Sequence, residues 1–195
     1  MRRMLAVTAA AVLALGLAGC GAPPWAGPTG SAPASGSPSA APTPVPNDLS
    51  TGSTQRSLTA GAVAATVDYW SDLSMDKWTA SALKPVQLSM VTTVTPNDGQ
   101  RVYLQKATMI AVPGNATGSM APLSPQVDQA TTASAYLVLD PYSYSQVFTV
   151  GAVPDDATFV TLQFQYDFLV QTTPTSSEYA KQTATDSLTV AIARG

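Results

Sequence analysis

Residues 158–170 read TFVTLQFQYDFLV, and they give the clearest indication of secondary structure in the chain. Apolar side chains occupy every second position: Val160, Leu162, Phe164, Tyr166, Phe168 and Val170. Polar side chains such as Gln163, Gln165 and Asp167 lie between them. Successive side chains of a β-strand point to opposite faces, so this period of two predicts a strand with one buried and one solvated face. Such strands are typical of antiparallel sheets that cover a core on one side.

The same alternation recurs on both sides of this stretch. We predict further strands at 63–69, 86–94, 102–112, 135–139, 145–150 and 187–193, because these segments are rich in strand-favouring residues. Asn97-Asp98-Gly99 predicts a turn, and the Gly-, Pro-, Ser- and Thr-rich segment 113–132 predicts a loop. Within that loop Ser124-Pro125 is typical of the start of a short helix. The pattern predicts an all-β fold, an immunoglobulin-like antiparallel β-sandwich of about seven strands, over 57–195.

The segment 20–56 has a different composition. It consists mostly of Pro, Ser, Ala, Gly and Thr, and it holds eight of the sixteen prolines of the chain. The segment has too few bulky apolar side chains for their burial to offset the entropy lost on folding. We therefore predict a disordered linker. As a flexible coil it would span roughly 35 Å, and as polyproline II up to about 110 Å. It is suited to hold the 57–195 domain away from a surface.

The first twenty residues have the layout of a bacterial export signal. Arg2 and Arg3 precede an apolar run over 4–17, which is too short for a permanent bilayer span of about 20 residues. Leu17-Ala18-Gly19-Cys20 resembles the bacterial lipobox. The resemblance implies a lipoprotein: residues 1–19 are removed and diacylglycerol is attached to Cys20. Two acyl chains give stable anchoring, so we expect a chain on the extracytoplasmic face of a cell membrane. The alternative is an ordinary secreted protein.

A second resemblance covers about twenty residues of the folded part. Val147-Phe148-Thr149-Val150, Val153-Pro154-Asp155-Asp156 and the strand from Phe159 to Phe164 are similar to part of a family of bacterial immunoglobulin-like sandwich domains. Members of that family are lipid-anchored or secreted and have no assigned function. The resemblance therefore implies a fold and a location, and no activity.

Charge and composition exclude several functions. The chain has 9 basic and 12 acidic side chains, and removal of Arg2 and Arg3 leaves 7 and 12, a net charge of −5. That balance argues against a nucleic-acid partner, because phosphate contacts need Lys and Arg. Histidine is absent and Cys20 is the one cysteine. Catalytic bases, common metal ligands and disulfides are therefore scarce, and Gly-rich phosphate loops are missing, so we expect no enzyme, no metal and no cofactor.

One cluster of side chains is a candidate ligand site. Asp72 and Asp76 lie near Trp70 and Trp78, and aromatic rings stack on sugars while paired carboxylates can serve a glycosidase. The competing interpretation, which we favour, is that the two tryptophans close one end of the sandwich and the carboxylates cap turns. Asp155-Asp156 is compatible with half of a calcium site or with a plain turn.

The lysines of the domain, Lys77, Lys84, Lys106 and Lys181, are expected on the solvated surface. Two functions remain open after these exclusions. The first is a non-enzymatic interaction module at the cell surface, whose partner is a protein or a cell-wall polymer. The alternative is a carrier or sensor that binds a sugar, lipid or ion, either between the sheets or in the 113–132 loop.

Overall fold

Two antiparallel sheets enclose the core in the computed structural model of the chain, which describes residues 44–131 and 135–194. The strands are β1 (Ser53–Ala60), β2 (Val63–Trp70), β3 (Lys84–Val94), β4 (Val102–Asn115), β5 (Gly118–Ser119), β6 (Gln126–Gln129), β7 (Tyr136–Leu137), β8 (Tyr144–Val150), β9 (Phe159–Gln171) and β10 (Tyr179–Ala191). Met75–Lys77 forms a short 3-10 turn. Within the two described ranges, no helix has the length and apolar character that crossing a membrane requires.

The first sheet has the strand order β1-β2-β3-β8. A tight turn at Gly61 joins β1 to β2, with φ of +56° at the glycine, a backbone conformation that side chains disfavour. The next residue, Ala62, donates its backbone N–H to the side-chain oxygen of Gln182 in β10, at 3.1 Å. This hydrogen bond ties the first hairpin to the edge of the second sheet.

The second sheet has the order β10-β9-β4, and three short strands, β5, β6 and β7, pair with the other edge of β4. β9 pairs with β10 over thirteen positions and with β4 over almost its whole length. A register shift between Leu104 and Lys106 marks a bulge in β4. Bulges bend and twist a strand. This bulge separates Tyr103 from Lys106 along β4, two residues whose side chains both form contacts on the outer surface of the sheet.

The core lies between the two sheets. The alternating apolar face predicted for β9 is buried there, together with the inward faces of β2, β3, β4 and β10. Tyr69 of β2 and Tyr166 of β9 meet across the core, with their hydroxyl oxygens 2.9 Å apart. This bond satisfies two buried polar groups, which would otherwise each cost about 1–3 kcal/mol. The predicted all-β antiparallel sandwich is confirmed, and its immunoglobulin-like connectivity stays a prediction.

Several sequence predictions were wrong in detail. The described structure has ten strands in place of about seven, because β1, β5 and β6 were not predicted. The last strand begins at Tyr179, not at 187. The helix predicted at Ser124-Pro125 is absent, since the chain there leads into strand β6. The domain boundary at 57 is too late, because Leu49 is fully buried and strand β1 begins at Ser53.

Candidate functional site

The outer face of the second sheet carries a groove across β4, β9 and β10. Strand register places its walls in two parallel rows of three side chains. The first row is Thr108, Gln165 and Thr185, and the second is Ile110, Gln163 and Ser187. Neighbouring strands lie about 4.8 Å apart, so each row spans about 10 Å. The groove encloses about 590 Å³, a volume within the range of ligand sites.

The groove presents polar but uncharged groups. Gln163, Gln165, Thr185 and Ser187 are exposed, and amide and hydroxyl groups both donate and accept hydrogen bonds. Asp186 lies between Thr185 and Ser187 but belongs to the opposite face of β10, where Ala184 and Leu188 are buried. Its Oδ1 atom accepts a hydrogen bond from the backbone N–H of Ser187 at 2.8 Å. The carboxylate charge is therefore directed away from the groove.

An ion-paired cluster bounds one end of the groove, in the row beside Gln165. Asp167 has a side chain that is only 1 % exposed, and its Oδ2 atom lies 3.2 Å from Lys106 Nζ and 3.0 Å from Lys181 Nζ. Thr183 and Gln165 donate hydrogen bonds to Oδ1, at 2.8 and 3.2 Å. Burial alone would raise the pKa of Asp167, but these donors outweigh it and lower the pKa to about 2. The carboxylate is thus held ionised and compensated.

Two tyrosines lie on the same outer face beyond this cluster. The rings of Tyr103 and Tyr179 meet edge to face, with centroids 5.8 Å apart. Tyr179 is 41 % exposed, and it lies two positions before Lys181 along β10, which places it on the same face. An exposed ring offers a flat apolar surface with a polar hydroxyl at its edge. The face therefore runs from the polar groove through an ion-paired row to an aromatic end.

The predicted tryptophan and aspartate cluster does not form one site. Trp78 is fully buried and its ring N–H donates to the Ser71 hydroxyl at 3.2 Å, so this ring cannot stack on a ligand. Trp70 is half-buried at the end of β2. These positions agree with the interpretation that a tryptophan closes one end of the sandwich. Neither tryptophan lines the groove.

The two carboxylates of that cluster have separate partners. Asp72 accepts a hydrogen bond from the Gln87 amide. Asp76 lies 3.6 Å from Lys77 Nζ, and a hydrogen bond from Ser74 followed by the lysine charge lowers the pKa of this exposed aspartate. A glycosidase acid needs a raised pKa, so Asp76 is unsuited to that role. Neither Asp72 nor Asp76 lines the groove.

Lys84 was wrongly expected on the surface, since it is fully buried at the start of β3. Its ammonium donates to four backbone carbonyls, those of Thr79, Ala80, Ala82 and Gly151, at 3.1, 3.4, 2.7 and 2.9 Å. Burial lowers the pKa of Lys84. The carbonyl cage joins the loop before β3 to the residue after β8, so this lysine has a structural role. By contrast, Lys77 is exposed, as predicted.

Two smaller cavities have volumes of about 340 and 330 Å³. The first lies beside Asp128, which accepts hydrogen bonds from Tyr136 at 3.2 Å and Tyr144 at 2.6 Å. The second has Asp155 in its wall, while the neighbouring Asp156 accepts a hydrogen bond from Asn115 at 3.1 Å. Among the described residues, no group of three or more Cys, Asp or Glu side chains could hold a metal ion.

Sequence reasoning identified Gln163, Gln165 and Asp167 as a solvated face but did not identify the groove. Thr185, in its third wall, comes from the part of β10 that was not predicted, and strand register across three segments cannot be read from local periodicity. Cys20, which we predict to carry lipid, and the predicted signal peptide over residues 1–19 lie outside the described residues. No protein-family model and no curated protein sequence matches the chain. Function must therefore be inferred from the groove and its chemistry.

Proposed function

We propose that this chain is a non-enzymatic binding module, held by lipid on Cys20 at the extracytoplasmic face of a cell membrane. The groove across β4, β9 and β10 is the observation that carries the proposal, because it is an accessible surface made of groups that bind without reacting. The lipobox and the linker support the location, since together they would present this surface away from the bilayer. The partner would be a protein or a cell-wall polymer.

The chemistry of the groove favours binding over catalysis. The carboxylate nearest its two rows on the outer face is Asp167, and its lowered pKa keeps it ionised at neutral pH. A general acid works best when its pKa lies near the working pH, and a nucleophile must be free to reach the substrate. Asp167 is covered by two lysines and meets neither need. The amides and hydroxyls of the two rows have no free base beside them, because Asp167 is ion-paired and Asp186 belongs to the inner face of β10.

A small-ligand carrier is the second candidate, and one observation favours it. Tyr136, which is 38 % exposed, and Tyr144 lie with their ring centroids 5.2 Å apart beside the cavity at Asp128. Aromatic rings with a fixed carboxylate can hold a small polar ligand. A thermal-shift screen of sugars, lipids and ions would detect it, because a ligand at 100 times its Kd adds about 2.7 kcal/mol.

Site-specific crosslinking tests the binding module directly. A photoreactive amino acid replaces Thr185 in the groove or, as control, Thr59, which is also an exposed threonine on an outward-facing edge-strand position, but in the first sheet. We expect illumination of living cells to give adducts from position 185 and not from 59. Equal adducts from both positions, or none from 185, would contradict the proposal. Metabolic labelling with a fatty-acid analogue, lost in Cys20→Ala, tests the anchor independently.

A further inference from the structure

We propose that the groove on the outer face of the second sheet binds an uncharged polysaccharide, which makes the partner a neutral glycan and not a protein. The inference rests on the proposed binding function and names the class of its partner. Three features carry it: the hydrogen-bonding groups of the groove, the absence of charged side chains from its two rows, and the exposed ring on the same face.

The hydrogen-bonding groups match those of a sugar. Each sugar hydroxyl both donates and accepts, and so do the amides of Gln163 and Gln165 and the hydroxyls of Thr185 and Ser187. The two rows set these groups at strand spacing, about 4.8 Å apart within a row and about 7 Å between rows. A linear polymer laid on the face could therefore meet several of them at once.

A protein partner fits the groove less well. The core of a protein interface is largely apolar and rich in aromatic residues, whereas Ile110 is the one aliphatic side chain in the two rows. A standard interface also buries about 800 Å² on each partner. The outward positions that would extend the contact along β10 are again hydroxyl-bearing, at Thr183 and Thr189.

An anionic polymer would find no cationic side chain in the two rows of the groove. Lys106 and Lys181 share the carboxylate of Asp167, so the three groups together carry a single net positive charge. The next cation on this side of the sheet, Arg101, lies at the aromatic end, where its guanidinium donates to the Tyr103 hydroxyl at 3.4 Å, outside the two rows of the groove. Asp186, the charged residue of the lining, alternates with the buried Ala184 and Leu188, and its Oδ2 atom is buried, so its carboxylate belongs to the other face of the strand. Beyond this row, the exposed ring of Tyr179 offers a surface on which a sugar ring can stack.

Affinity electrophoresis of the full lipidated chain tests the inference. The protein is extracted in an oxyethylene detergent, which lacks a sugar headgroup, and run in native gels containing dissolved mannan, galactan or dextran, with polygalacturonate as the anionic comparison. We expect retardation by a neutral polysaccharide that persists in high salt. Gln163→Ala combined with Thr185→Ala should weaken binding about tenfold, and Tyr179→Ala should weaken it severalfold. Gln55→Ala, on the outer face of the first sheet, should leave binding unchanged.

Two outcomes would overturn the inference. One is that none of the neutral polysaccharides retards the protein. The other is that only polygalacturonate does, with retardation abolished by salt, which would identify an anionic partner. In either case, adducts from position 185 on living cells would still support a binding module with another partner. Their absence would instead refute the proposed function itself.

Discussion

Asp167→Asn tests how much the ion pairs beside the groove stabilise the folded protein. The substitution keeps the shape of the side chain and removes the charge that Lys106 and Lys181 share. The folded-state pKa of Asp167 is about 2, against an ordinary value of 3.8. A carboxyl whose pKa is lowered on folding stabilises the protein above its unfolded pKa, and this contribution is lost as pH falls towards the folded value. The difference corresponds to about 2 kcal/mol at neutral pH.

Urea unfolding followed by circular dichroism measures this contribution. At neutral pH we expect Asp167→Asn to lose about 2 kcal/mol of unfolding free energy relative to wild type. Between about pH 4 and 2 the two proteins should converge, because wild type gives up the same contribution when Asp167 is protonated. Asp98→Asn, at an exposed turn, serves as control and should change neither quantity. A neutral-pH difference below about 0.5 kcal/mol, or parallel acid limbs, would refute the reasoning.

Three further outcomes are expected. Lys84→Met should lose about 3 kcal/mol in urea unfolding, because four buried carbonyls lose their donor; an unchanged midpoint would contradict the cage. Leu49→Ala should lose about 3 kcal/mol of unfolding free energy, since this leucine is fully buried although it lies within the predicted linker. A loss near zero would show that Leu49 does not belong to the folded core. Burial raises the pKa of Tyr69, Tyr144 and Tyr166. Above about pH 10 these tyrosines ionise in the unfolded chain but not in the folded protein, so the free energy of unfolding should fall by about 4 kcal/mol per pH unit. A flat profile between about pH 10 and 11 would contradict this.

The central strands were predictable because their inward positions are almost all apolar. β9 was found within one residue at each end, since its alternation is unbroken from Val160 to Val170. β1 was missed because its inward positions include Thr54 and Arg56, so the apolar half of the pattern is incomplete. The early half of β10 was missed for the same reason: Gln182 and Asp186 occupy inward positions there.

The candidate site was less predictable than the fold because it depends on contacts between distant segments. Trp78 was a candidate ligand contact in sequence, although we favoured a role in closing one end of the sandwich, and its burial beside the turn at Met75–Lys77 agrees with the favoured interpretation. Lys84 carries no local signal of burial, since its four acceptors come from two loops that lie far apart along the chain. The polar face of β9 was visible as alternation in the sequence. Predicting the groove would also have required the register in which β9 pairs with β4 and β10.

Hydroxyl-radical footprinting on living cells tests most directly whether the groove face is the surface that binds. Ile110 and Tyr179 report on the outer face of the second sheet, and Val147, which is 51 % exposed, reports on the first sheet. We expect oxidation of Ile110 and Tyr179 to fall on cells relative to the purified full chain, while oxidation of Val147 stays the same. Protection of Val147 alone, or equal oxidation of all three in both settings, would contradict the assignment of this face.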